Sequence, residues 1–210
     1  MQDAKRKRGR PRSYDHNRAL ASARDVFWNA GYAASSLDDL GAAMFMTRPS
    51  LYGAFGDKEA LFLKTLEAYR DGSLTLLRRR LDPDRPLKEC IAAVYATAIE
   101  IYVGASGPAL GCFLIGTATV EAPRHPEIRT VLRESLRVFD DAVEDRLRLA
   151  AQTGELPPQT DVAALAKLAS AIMHSLAVRA RAGEPREVLE AIAASGVALI
   201  CGGAGAVTKT

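Results

Sequence analysis

The stretch from Ser35 to Lys58, SSLDDLGAAMFMTRPSLYGAFGDK, constrains the fold most, because it holds two short helical patterns across a tight turn, each with its own capping residue. Ser35 and Ser36 can cap a helix whose first turn holds Asp38 and Asp39, and Ser36 with Asp39 approximates a capping box. The carboxylates also suit the positive end of the helix dipole. Leu37, Leu40 and Met44 recur at three- and four-residue spacing, which predicts a helix over Leu37–Met44. A second start follows at Thr47, with Pro49 where a missing N–H costs least. Leu51 and Phe55 lie four apart and face inward, so Arg48, Ser50 and Tyr52 fall elsewhere on the cylinder. Gly56 can end this helix in a left-handed conformation, and Asp57 can cap the next. Such a pair of helices, the second offering Arg, Thr, Ser and Tyr, is the arrangement that lays a recognition helix in the DNA major groove.

The preceding segment supports a three-helix unit. From Asp15 to Ala30 the positions Leu20, Ala23, Phe27 and Ala30 step by three and four, with Val26 widening the stripe. Trp28 falls outside that stripe and reads as a packing contact against Tyr32 or the second domain.

These residues resemble the N-terminal domain of the TetR family of transcriptional repressors. The match covers roughly residues 14–65. It rests on the helix ending in Gly31-Tyr32, on Ser36-Leu37-Asp38-Asp39-Leu40, on Ser50-Leu51-Tyr52, and on Phe55-Gly56-Asp57-Lys58-Glu59-Ala60-Leu61-Phe62. The resemblance implies that Arg48 and Ser50 face base edges or nearby phosphates, with Tyr52 and Lys58 on the backbone. Chemistry agrees: Arg suits guanine N7 and O6, while Thr47, Tyr52 and Lys58 suit phosphate oxygens. The N-terminus of the Leu37 helix can offer N–H groups beside Ser36. One position departs from the family, which usually has Gly in the turn where this chain has Phe45. A positive φ at Phe45 carries a steric penalty.

The formal charge of +3 is unevenly placed, since residues 1–18 hold seven Lys or Arg against Asp3 and Asp15. That basic end is the polyanion-facing end. Within it, Arg8-Gly9-Arg10-Pro11, followed by Arg12, resembles an AT-hook core, whose arginines follow the floor of a narrow A·T-rich minor groove. A solvated run that adds only phosphate attraction is the plainer reading.

At 210 residues and 48% hydrophobic content the chain can bury a real core. No uninterrupted apolar run reaches 18 residues, and the N-terminus is too basic for a signal-peptide core, so no membrane partner is expected. Cys90, Cys112 and Cys201 form an odd, widely spaced set. That argues against a disulfide framework and a zinc site, and for a reduced cytoplasmic protein.

The rest reads as helices only: Lys58 to about Arg80, interrupted in pattern by Gly72, then Leu87–Val103, Leu110–Glu121, Glu127–Ala151, Asp161–Ala182 and Glu184 to about Ile200. The expected class is all-α, with a basic arm over 1–13, a helix-turn-helix domain over 14–58 and an effector-binding and dimerisation domain over 59–210. The last two helices carry broad apolar faces rich in Ala, Ser and Gly. Such faces suit a four-helix bundle across a two-fold axis, as the resemblance also implies.

No catalytic constellation is present, and His16, His125 and His174 lack partners at metal-ligand spacing, so neither enzyme activity nor a cofactor or metal is expected. Candidates for a small-molecule effector pocket are Tyr95, Tyr102, Cys112, Phe113, Met173 and His174. Cys112 opens a helix after a Gly/Pro loop, where a helix N-terminus lowers a thiol pKa. Some members of the resembled family sense oxidants or electrophiles through cysteine. The expected function is a homodimeric, ligand-responsive repressor that binds a palindromic operator in double-stranded DNA and releases it when an effector binds. The alternatives are an architectural A·T-rich DNA-binding protein using the arginine arm, and a thiol-sensing repressor.

Overall fold

A computed structural model of the chain describes residues 15–105 and 108–202, so the arm arginines Arg8, Arg10 and Arg12 lie outside the described residues. The described part is helical. The elements are α1 (His16–Ala30), α2 (Leu37–Met44), α3 (Arg48–Phe55), α4 (Lys58–Arg80), α5 (Leu87–Val103), a π-helical turn (Leu114–Ala118) running into α6 (Thr119–Glu121), α7 (Pro126–Gln152), α8 (Val162–Arg181) and α9 (Arg186–Gly202).

Local signals explain the boundaries of the first four helices. Asp15 caps α1 through Asn17 N–H at 2.9 Å. Ser36 accepts from Asp39 N–H at 3.0 Å while the Asp39 carboxylate accepts from the Ser36 N–H and hydroxyl, a complete capping box. Thr47 accepts from Ser50 N–H and Asp57 from Ala60 N–H, so α3 and α4 start where their caps stand. Gly56 ends α3 with φ +84° and ψ −149°, positive in φ as expected but outside the left-handed helical region. Despite Gly72, α4 is continuous for 23 residues.

The turn between α2 and α3 answers the question posed by Phe45. Met46 N–H bonds to Gly41 O at 2.8 Å and Phe45 N–H to Ala42 O at 3.2 Å, the two bonds of a Schellman motif. That motif requires a left-handed residue at its C′ position, and Phe45 supplies it at φ 54°, ψ 41°. Phe45 is the only non-glycine with positive φ among the described residues, and its ring is 91% exposed.

Two cores organise the packing. One joins Leu20, Ala23, Phe27, Leu40, Leu51, Phe55, Leu61 and Phe62 and extends to Phe113, Leu114 and Ile128. Trp28 is buried, its Nε1–H donates to Leu110 O at 3.2 Å, and its ring meets Tyr69 and Phe113. So α1 is bonded to the later half of the chain, as Trp28 outside its stripe foretold. The second core fills the space among α5, α7, α8 and α9. Near its edge Arg146 is almost wholly buried, with Nη2 donating to Glu155 Oε1 at 2.8 Å and to Arg85 O at 2.7 Å. The segment read as a simple helix from Leu110 to Glu121 becomes helical only from Phe113, with the π turn over Leu114–Ala118 in its middle. Gly111, at φ +68°, cannot belong to a right-handed helix, which delays the start. By length and composition α8 is apolar enough to cross a membrane, yet it packs on α5, α7 and α9.

Candidate nucleic-acid interface and effector cavity

Helix α3 is anchored by Leu51 and Phe55, both fully buried, and leaves Arg48, Pro49, Ser50, Tyr52 and Gly53 exposed. One side therefore fixes the rod while the other is free for a partner. Ser36 and Thr47 are exposed as the N-caps of α2 and α3. Thr47 Oγ1 and Ser50 Oγ lie 3.0 Å apart, and the Tyr52 ring is 49% exposed.

Two of these residues have partners that sequence reasoning did not supply. Arg48 is held by both oxygens of Asp38, Nε to Oδ1 at 2.7 Å and Nη2 to Oδ2 at 2.6 Å. The hydrogen bond from Arg48 lowers the Asp38 pKa, and Asp38 in turn raises that of Arg48. Lys58 lies over the Tyr32 ring at 4.7 Å and donates to Ala33 O at 3.4 Å. Partial burial lowers its pKa, against the pull of Glu121. Its ammonium is tied to the α1–α2 connection, at the edge of the surface rather than projecting from it.

A second candidate site lies between α4, α5, the π turn, α7 and α8. It is a cavity of about 70 Å³, partly open to solvent. That is small beside the roughly 300–1,000 Å³ of typical small-molecule sites, so a ligand would extend through its open side. Of the candidate pocket residues, Tyr102, Cys112, Met173 and His174 line it. Tyr95 and Phe113 do not. Tyr95 is buried against α8 and α9, its hydroxyl donating to Ala169 O at 3.2 Å and its ring meeting Gly196. Phe113 is fully buried among Trp28, Phe62 and Tyr69, because the π turn directs it into the N-terminal core.

Residues that sequence reasoning missed complete the wall: Tyr69, Ser73 and Arg80 from α4, Thr97 from α5 and Phe139 from α7. The α4 set was legible in principle, since 69, 73, 76, 77 and 80 fall on one helical face. Tyr69 donates to Cys112 Sγ at 3.7 Å, and Tyr102 also hydrogen-bonds this thiol. Burial pushes the Cys112 pKa up, outweighing the Ile115 and Leu114 N–H groups and the two phenols. The helix-end effect expected from the sequence is present but smaller than desolvation, so the thiol is not activated. Burial likewise holds the His174 imidazole below its ordinary range, opposed by Asp140. Among the described residues no protein group hydrogen-bonds to His174, and no cluster of metal-ligating side chains occurs.

Comparison with known proteins agrees with this layout. Residues 19–65 match the family described as "Bacterial regulatory proteins, tetR family", and residues 77–195 match "Tetracyclin repressor-like, C-terminal domain". The chain belongs to the TetR family. This TetR-family chain is 32% identical over 193 residues to the HTH-type transcriptional repressor ComR of Escherichia coli K12, covering 91% of each. It is 28% identical over 186 residues to the HTH-type transcriptional repressor BdcR of the same organism, covering 89% of each. Among solved structures, it matches a cysteine mutant of the TetR family transcriptional regulator CifR, complexed with 26-base-pair double-strand operator DNA. There the TM-score is 0.81 and the identity 31%, covering 90% of this chain and 98% of that one. The chain is thus a TetR-family DNA-binding transcriptional repressor and not an enzyme.

Proposed function

We propose that this TetR-family protein is a homodimeric repressor that grips a palindromic operator with paired α3 helices and releases it when a small molecule enters the cavity. The observation that carries this reading is the pairing, in one chain, of an exposed α3 surface with a mostly apolar cavity, partly open to solvent, whose wall includes α4. Helix α4 begins directly after α3 and ends at Arg80 in the cavity wall, so a ligand that moves α4 moves α3. Release requires that the ligand favour one arrangement of α4 over the other. In the bound form the two α3 helices would sit about 34–36 Å apart, one helical turn of DNA.

Dimerisation is supported by the outer faces of α8 and α9, where Val178, Val188 and Leu199 stand 57%, 40% and 42% exposed beside a groove lined by Ile172, Ile192 and Gly196. A monomer would leave this apolar surface in water. The division into an arm (1–13), a reading unit (14–58) and a sensing and dimerising unit (59–210) follows the same logic, and the cytoplasm is its natural compartment. Cys112 acts in this reading as a wall residue.

Footprinting on DNA flanking the protein's own gene, with and without candidate ligands, tests the proposal. A short palindrome protected by a dimer and freed by ligand supports it. Broad A·T-rich protection indifferent to ligands would instead favour the arginine-arm architectural alternative.

A further inference from the structure

The cavity wall contains no Asp, Glu or Lys, and Arg80, the last residue of α4, supplies its sole formal charge while His174 is neutral. Arg78 and Arg79 share that helix end, but only Arg80 of the three belongs to this wall. Arg80 Nε donates to Thr97 Oγ1 at 2.9 Å, which aims the guanidinium, and no carboxylate lies within ion-pair distance among the described residues. Arg85, Arg137, Arg148, Arg179 and Arg186 are each paired with an acidic side chain, and what sets Arg80 apart from the likewise unpaired Arg78 and Arg79 is its place in the cavity wall. His174, also in the wall and without a hydrogen-bonding partner, adds one donor and one acceptor. The rest of the wall is mainly apolar, with Ile101, Leu136 and Phe139; Ser73, Thr97 and Ser135 are its hydroxyls besides those of Tyr69 and Tyr102, which are turned onto Cys112.

We infer that the effector is an amphipathic monocarboxylate, its carboxylate on the Arg80 fork and its apolar body in the chamber behind. The inference rests on the effector reading above. A guanidinium whose Nη groups are unused, with Nε held by Thr97, still offers two donors to a planar carboxylate, whereas a cationic ligand meets like charge. A neutral apolar ligand gains nothing from Arg80. A dianion finds no second cation in the wall.

Calorimetry of the full chain with octanoate, octanol and octylammonium tests it. Octanoate should bind about tenfold or more tighter than octanol, the scale of one charge-assisted hydrogen-bonded contact at a partly solvated site. Octylammonium should bind weaker than either. Arg80→Gln should bring octanoate down to the octanol level while leaving octanol unchanged, and Arg80→Lys should restore part of the difference. The proposal is overturned if octanol or octylammonium equals octanoate, if none of the three binds, or if Arg80→Gln spares octanoate. Operator release is read separately by fluorescence anisotropy. Octanoate that binds without freeing DNA would leave the carboxylate site standing and sink the release mechanism, so the two failures are distinct.

Discussion

Asp38, in the first turn of α2, grips Arg48, at the start of α3, through both carboxylate oxygens at 2.7 and 2.6 Å. The pair spans the helix-turn-helix turn on an exposed surface, so its contribution to stability is small. In the proposed DNA-bound state its weight would fall on recognition, because the fork that suits guanine O6 and N7 is already occupied by a carboxylate. Non-specific phosphate attraction must compete with Asp38, and only a well-placed acceptor repays the exchange. Asp38→Asn is expected to strengthen binding to arbitrary duplex several-fold and to narrow the preference for operator, with a steeper salt dependence. Anisotropy titrations on operator and scrambled duplex at two salt concentrations measure this. An unchanged ratio would remove Asp38 from recognition.

Phe45 holds a left-handed conformation that costs an L-residue roughly 1–2 kcal/mol, and its exposed ring recovers little by packing. Phe45→Gly removes the strain at the cost of a more disordered unfolded chain, roughly 0.5–1 kcal/mol. The net expectation is a gain of about 0.5–1 kcal/mol, or about 1–4 °C in Tm for a chain of this size. Calorimetric melting decides it; a lower Tm would mean that the ring makes a compensating contact.

Gly111 has φ +68°, and a Cβ there would stand 2.4 Å from Ala177 O and 3.3 Å from Arg181 Cβ. Neither the backbone of α8 nor the turn can yield that distance cheaply. Gly111→Ala should cost about 2–4 kcal/mol and loosen the adjoining Leu110–Trp28 hydrogen bond. A fall in Tm accompanied by a red-shifted Trp28 emission is the expected signature.

Glu155 joins the end of α7 to the start of α5, accepting from Leu87 N–H and Arg146. Burial opposes its ionisation, but the Leu87 N–H and Arg146 outweigh it, and the folded pKa falls below the ordinary 4.5. The stabilisation is therefore complete above the unfolded value and is lost as pH falls from about 4.5 through the folded value. Glu155→Gln should lower Tm at pH 7 and shrink the gap to wild type as the pH drops through that window. A gap independent of pH would show that the charge contributes nothing.

Much of the architecture was legible because capping is local. Ser36 with Asp39, Thr47 and Asp57 each satisfy N–H groups two or three residues away, so α2, α3 and the start of α4 lie where the residues themselves set them. Burial of Leu51 and Phe55 followed from their four-residue spacing, and with it the exposure of Arg48, Ser50 and Tyr52. Tertiary structure decided what depends on distant partners. The fate of Arg48 was set by a carboxylate ten residues away across the turn, and the Cys112 pKa by burial that overcame its helix end. The π turn sent Phe113 to one core, and the α8–α9 contact kept Tyr95 from the cavity. A chain's own periodicity says that a side chain is turned inward, but which interior it enters depends on the element packed opposite, and that element is distant in sequence.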